Sequence, residues 1–287
     1  MKLSQFYPSV INDFNINYIT TNINKIKKNS IFINMQNLSN FEITKSLTDN
    51  VFIVSAVPII YPTNNSITVL NIEEELVRLY KIFYNLDRYH TKTIGVLNDD
   101  FYNYSKILYD LFDNVLKDKI EVINSFEDID DLYQQIGTLS KKKAKYIFVV
   151  FHSSDLIEYT NLIYFEYILL SKSSHSTSIK TIMNINLFLS KSGILINNYD
   201  DFNDLLMPNS SVTFGFNQNS TYYVTNIRQH NKVITGTIYK NFSELSELLL
   251  CLSNYDYIYF ILALFAFIDN EYQTTELVHI FFSKYIL

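Results

Sequence analysis

The chain has 287 residues, 48% of them hydrophobic, and a formal net charge of −6. That length and apolar content suffice for two buried cores and place the chain outside the disordered and low-complexity classes. The acidic balance argues against a nucleic-acid partner, which calls for a basic patch. The lysines that cluster, at Lys25, Lys27, Lys28 and at Lys141, Lys142, Lys143, sit in short polar stretches that read as solvated loops.

In chain order, Ile31-Phe32-Ile33 reads as a short strand and Phe41 to Leu47 as a helix capped by Asn40. Val51 to Val54 and Ile67 to Leu70 are further strand-length runs. Glu73 to Tyr84 sets Leu76, Leu79, Tyr80 and Phe83 on one helical stripe. Asp87 to Lys92 is polar and reads as a linker, dividing a small α/β domain (1–90) from a second domain (91–287). The second begins with a buried-strand pattern, Thr93 to Leu97, followed by Tyr104, Ile107, Leu108, Leu111, Phe112 and Val115 at helical spacing. Lys119 to Ile123 is a strand and Ser125 to Ile136 a helix. Tyr146 to Phe151 contains no charged or amide side chain, as in a strand covered on both faces of a parallel sheet. Tyr167 to Leu170 and Gly193 to Ile196 continue the alternation, which predicts a doubly wound, mostly parallel sheet.

Beyond Pro208 the pattern changes. Ser211 to Gly215, Thr221 to Ile227 and Lys232 to Tyr239 are short, rich in β-branched and aromatic residues, and predict a hairpin-like extension. Leu245 to Leu252, Tyr257 to Ile268 and Thr274 to Tyr285 predict C-terminal helices. The run from Tyr257 to Ile268 is too short to span a membrane, which takes about 20 apolar residues, and reads as a buried core helix. The lone Cys251, set among leucines, reads as a small buried hydrophobe. One cysteine and no leader-like start predict a cytoplasmic protein with no membrane insertion.

The order of these pieces resembles the Mur ligase family, and within it the UDP-MurNAc-tripeptide ligases (MurE). Thr21-Asn22-Ile23-Asn24-Lys25 through Ile33 resembles the family's D-S-R-x-V-x-P-G-D-L-F-V segment, and Thr68 to Asn85 its stretch ending in F-Y-G. Thr93-Ile94-Gly95-Val96 falls where the family has L-I-G-V-T-G-T-N-G-K-T-T. Val149 to Ser154 resembles V-M-E-V-S-S, Gly193 to Asp201 the strand ending in N-x-D-D, and Val212 to Phe216 the T-F-G turn. Tyr222 to Ile227 follows the A-D-x-x-A-x-N-I strand, and Asn254 to Phe282 stands where the family has its Asn- and Ala-rich helices. The likeness is collinear order over the whole chain. It ends at Leu287, where the family continues into a third domain that carries the incoming amino acid.

The resemblance implies ATP-dependent activation of a carboxylate followed by attack of an amine. That step needs a glycine-rich loop to cradle phosphate, a lysine, and a Thr or Ser on Mg²⁺. The aligned positions hold Asn98, Asp99, Asp100, Phe101, Tyr102 and Asn103, with Tyr102 in place of the lysine and Asn103 in place of the metal-binding Thr. Two like charges about 4 Å apart interact by about 4 kcal/mol at an effective dielectric of about 20. Asp99 and Asp100 would therefore repel a triphosphate, whereas at a helix N-terminus they complement the macrodipole. Phe151 replaces the metal-binding acid, Asn184 falls near the family's carbamylated lysine, and Asn22-Ile23-Asn24 replaces D-S-R on the uridine side. Ser153, Ser154, Asn198, Asp200 and Asp201 are retained, either as residual binding groups or as strand-end and turn residues that satisfy backbone groups.

Other chemistries find no footing. His90, His152, His175, His230 and His279 lack metal-ligand spacing, and no G-x-S-x-G elbow occurs. His152-Ser153-Ser154-Asp155 has triad residue types but only sequence adjacency. Nothing marks Asp130-Asp131 or Asp200-Asp201 as an acid–base pair, and a solvated loop explains each pair equally well. The sequence thus predicts a non-catalytic Mur-ligase-like protein with no cofactor and no metal, a partner-binding or vestigial relative whose partner would be another cell-wall enzyme. The competing reading is an ATP-dependent amide ligase completed by a separate subunit.

Overall fold

The computed structural model describes residues 1–59, 65–97, 108, 109, 112, 116–151, 159, 161–170, 185–202, 211–231, 233–250 and 256–272. The chain forms two compact units. The first comprises Met1–Thr91, Phe126–Lys143 and Asn161–Ile163; the second comprises Lys92–Ser125, Ala144–Thr160 and Tyr164–Leu287.

The first unit holds a four-stranded parallel sheet in the order β1 (Tyr18–Thr20), β2 (Ser30–Asn34), β3 (Val51–Ser55), β4 (Ser66–Thr68). β2 and β3 are buried along their whole length, which explains their unbroken apolar runs. Helix α1 (Asn40–Ser46) is capped by Ser39 rather than Asn40. The Ser39 side chain accepts from the Glu42 N–H and Glu42 reaches back to the cap, a reciprocal box. Helix α2 (Ile72–Tyr84) begins at Asn71, which accepts from the Glu73 and Glu74 N–H groups, and it buries Leu76, Val77, Leu79 and Tyr80. Asn85 ends it in the left-handed region, leading to the single turn α3 (Leu86–Tyr89) within the stretch predicted as linker. Helix α4 (Ile129–Lys141) is capped by Asp128. It buries Ile129, Asp130, Leu132, Tyr133, Ile136, Gly137 and Ser140 along one side. Asp130 and Asp131 therefore lie on a helix, with Asp130 buried, and not in a solvated loop.

The second unit is a nine-stranded sheet built from β5 (Lys92–Leu97), β6 (Ile120–Ile123), β7 (Tyr146–Phe151), β8 (Phe165–Leu170), β9 (Leu189–Asn198), β10 (Ser211–Gly215), β11 (Tyr222–His230), β12 (Val233–Lys240) and β13 (Ser243–Leu250). The strand order is β13-β12-β11-β10-β9-β8-β5-β7-β6. Pairing is parallel from β6 through to β11 and antiparallel from β11 to β13. A short helical turn, α5 (Tyr199–Phe202), follows β9, and α6 (Asp256–Tyr272) follows β13. The predicted strand at 211–215 is thus a parallel member of the sheet rather than part of the hairpin extension.

The stretch from Leu245, predicted helical, is strand through Leu250. Asn241 and Phe242 both have positive φ and form a two-residue turn between Lys240 and Ser243. Such primed turns match the twist of a hairpin and fix it locally, overriding the leucine spacing. Leu245 is the extra residue of a bulge, since Tyr239 faces Glu244 while Ile238 faces Ser246.

Helix α6 is the core of this unit. Its residues from Phe260 to Ile268 are all buried, against a sheet face carrying Ile94, Val96, Phe148, Val150, Leu169 and Ile196. A helix apolar all round must be buried, and each such side chain contributes roughly 1.5–3 kcal/mol on transfer from water. Leu108 and Phe112, from the predicted helix after β5, join the same core. The other positions of that prediction (Tyr104, Ile107, Leu111 and Val115), Cys251 and the predicted helix from Thr274 lie outside the described residues. Among the described residues no helix is long and apolar enough to cross a membrane.

Candidate functional site

Open parallel sheets bind ligands at the carboxyl ends of their strands, near the point where strand order reverses. Here that point is β5. The chain passes from β5 out to β6, returns to β7, and resumes on the other side of β5 at β8. At the carboxyl ends the registered row is Phe151 on β7, Leu97 on β5, Leu170 on β8, Asn197 on β9 and Thr213 on β10. Residues in register share a face.

The first three members of this row are hydrocarbon. Leu97 and Phe151, with Gly95, Phe165, Ile168 and Phe188, line a narrow cleft in which none of these described side chains carries a donor or a carboxylate. Phe151 meets Phe165 edge-on, with centroids 5.2 Å apart and planes at 78°, and lies 6.3 Å from Phe188. Gly95 leaves room for the Phe165 ring, since a Cβ there would come within 3.1 Å of it. A lining of this kind neither solvates a phosphate nor ligates a metal. Among the described residues no group of three or more His, Cys, Asp or Glu is placed to hold a metal ion.

The other half of the row is polar. Asn197 is buried, and its Oδ1 has no hydrogen-bond partner among the described residues. Beside it, the Thr221 N–H donates to Thr213 Oγ1 at 2.8 Å, and the two hydroxyls lie 3.2 Å apart. One residue further on, Asn198 and Asp201 come together: Asn198 Nδ2 donates to Asp201 Oδ2 at 3.1 Å, and Asn198 Oδ1 accepts the Asp200 N–H at 3.1 Å. The Asp200 carboxylate accepts the N–H groups of Phe216 at 2.6 Å and Asn217 at 3.1 Å. It sits so close to Gly215 that a Cβ there would lie 2.6 Å from its Oδ2. The N-x-D-D and T-F-G stretches thus meet, and Asp200 holds a turn. Asn98, Asp99, Asp100, Tyr102, Asn103, Ser153 and Ser154 lie outside the described residues, as do Asn184 and the remaining triad-type residues His152 and Asp155.

In the first unit, the segment aligned with D-S-R is engaged by its own chain. Asp130 accepts from Thr20 Oγ1 at 2.6 Å, from the Thr21 N–H at 3.0 Å and from Thr21 Oγ1 at 2.9 Å. It also accepts from Tyr80 OH at 2.6 Å. Asn22 caps a turn by accepting the Asn24 N–H, and Lys25 pairs with Asp128 at 2.8 Å. That hydrogen bond raises the Lys25 ammonium above its usual range. Burial works to raise Asp128, but Lys25 and backbone N–H donors outweigh it and hold the carboxyl low. Burial, reinforced by Asp130, pushes the Tyr80 hydroxyl well up. Neither Asp130 nor Asn197 was legible as a special residue; an acid at a core-facing helical position is the one signal that marked Asp130.

No protein-family model matches the chain, and no curated protein sequence matches it. Solved structures do. MurF from Acinetobacter baumannii superposes with a TM-score of 0.56 at 11% identity, covering 95% of this chain and 63% of that one. MurF ligase from Thermotoga maritima, solved in complex with ADP, gives 0.54 at 13% identity over 90% of this chain and 64% of that one. The UDP-N-acetylmuramate-alanine ligase MurC from Thermotoga maritima gives 0.50 at 13% identity over 94% of this chain and 68% of that one. The chain therefore has the Mur ligase fold and spans about 63% of the length of the first of these relatives.

Proposed function

We propose that this chain is a non-catalytic protein on the Mur ligase fold, nearest in sequence pattern to the UDP-MurNAc-tripeptide ligases, which acts in the cytoplasm by binding a partner, another enzyme of the cell wall, rather than by ligation. The observation that carries this reading is the packing of Phe151. The family resemblance places a metal-binding acid at this position. Here the position holds an aromatic ring seated on Phe165 and Phe188, in a cleft shared with Leu97. Activating a carboxylate with ATP creates negative charge that must meet fixed donors or a metal. An aromatic ring supplies neither. The substitutions at Tyr102 and Asn103 point the same way from sequence.

Isothermal titration of the full chain with Mg-ATP, and separately with UDP-MurNAc peptides, tests the proposal. No heat of binding at millimolar ligand is the expected outcome. Micromolar affinity for Mg-ATP would overturn it in favour of a ligase that works with a separate subunit.

A further inference from the structure

Helix α4 follows β6 and precedes β7, so by connectivity it is a crossover of the nine-stranded sheet. Crossover helices ordinarily bury their apolar stripe on the sheet they connect. α4 belongs to the compact unit of the four-stranded sheet, where it packs on α2 and α3. The contacts are specific. Tyr133 stacks on Tyr80 with centroids 4.5 Å apart and planes at 9°, and its hydroxyl donates to the Leu162 carbonyl at 2.9 Å. Gly137 admits the Tyr84 ring, which a Cβ at that position would overlap. Asp130 collects the hydroxyls of Thr20, Thr21 and Tyr80 and the Thr21 N–H.

Thr20 and Tyr80 are fully buried, so water does not replace the carboxylate at their hydroxyls. Burying a charge is costly unless it is hydrogen-bonded, and leaving its donors unmet is costly as well. The arrangement is therefore favourable only as a whole, with the helix docked.

We infer that α4 is a strap completing the small unit: β1, β2 and α2 hold their native arrangement only while the Asp130 face of α4 is seated on Thr20, Thr21 and Tyr80. The first 91 residues are not self-sufficient, and the strap's stability is tied to the small sheet rather than to the strands it joins in sequence.

Hydrogen exchange on the full-length chain carrying Asp130→Asn tests this. Protection at residues 19–20, 31–34 and 76–80 should fall by about tenfold or more. Protection at 94–97, 147–151 and 167–170 should stay at the wild-type level. An equal fall in both sets, or no fall in the first, would overturn the inference. If Asp130→Asn yields no folded protein, Thr20→Val, which deletes one donor at constant shape, is read by the same criteria.

Discussion

Among the described residues, the amino ends of the nine-stranded sheet and the carboxyl ends of its strands β5, β7 and β8 are built from opposite chemistry. At the amino ends, the last turn of α6 gathers the strands by charge. Glu271 accepts from Lys92 Nζ at 2.6 Å, Tyr146 OH at 3.1 Å and Tyr167 OH at 2.8 Å. Asp269 accepts from Lys240 Nζ at 2.5 Å and from the Tyr222 hydroxyl. Tyr272 donates to Asp118, which also pairs with Lys145 at 2.7 Å. Acids in a last helical turn oppose the macrodipole, so these lysines and hydroxyls offset an intrinsic penalty. At the carboxyl ends of β5, β7 and β8, the described residues are Leu97, Phe151 and Leu170, without charge. Among the described residues the ion pairs of α6 gather at the amino ends, whereas the carboxyl ends are apolar on β5, β7 and β8 and polar only from β9 on, where Asp200 accepts two N–H groups.

The largest test of that contrast is Glu271→Ala. Lys92, 41% exposed, is rehydrated, but the buried hydroxyls of Tyr146 and Tyr167 lose their acceptor, so the change should cost roughly 2–5 kcal/mol in urea unfolding, at about 1–3 kcal/mol for each unmet group. A loss below about 1 kcal/mol would mean that the amino-end network is decorative.

At the other end, Phe151→Glu restores the acid that the resemblance calls for. It should cost roughly 2–4 kcal/mol, because the carboxylate enters a ring-lined cleft with no side-chain donor among the described residues, and Phe151→Leu should cost about 1 kcal/mol. If Phe151→Glu left stability unchanged and conferred magnesium binding, the carboxyl end would be one substitution from a metal site and the contrast would fail.

Alkaline titration separates the ends in a different way. Burial is the main cause that pushes the hydroxyls of Tyr146, Tyr167, Tyr222 and Tyr272 above the ordinary value of 10.0. With folded values raised, the stability from these groups is complete below pH 10. It drains away as pH rises beyond that, because the unfolded chain ionises first. Tyrosinate absorbance from this set should therefore appear together with loss of ellipticity, above about pH 10. Absorbance rising well ahead of unfolding would contradict the burial of the amino-end tyrosines.

The smallest effect belongs to Asn197→Leu. Removing an amide whose Oδ1 has no partner among the described residues should leave stability unchanged or raise it by about 1 kcal/mol. A loss of 2 kcal/mol or so would show that the amide is engaged in solution.

Much of the scaffold was readable from sequence. Tyr146 to Phe151 announced a doubly covered strand, and Tyr257 to Ile268 a buried helix, because burial on every side leaves no polar residue to interrupt the run. The misreading at Leu245 to Leu250 has a local cause: Leu and Glu favour helix, while the decision was made just upstream by positive φ at Asn241 and Phe242. Asp130 escaped because its donors are remote in sequence; Thr20 and Thr21 lie 110 and 109 residues away. At the candidate site, Phe151 was singled out by the resemblance, which calls for an acid at that position. Its aromatic partners Phe165 and Phe188 were not, since no pattern links three rings on separate strands and turns.

The bulge at Leu245 has a further consequence. Among the described residues β13 is last in the sheet order, and a long flat border strand would recruit the border of a neighbouring molecule. The extra residue breaks the regular ladder there, and Glu244 and Glu247 put negative charge along the same stretch. Concentrated solutions of the protein should accordingly resist fibril growth, and deleting Leu245 while neutralising both glutamates would remove that protection.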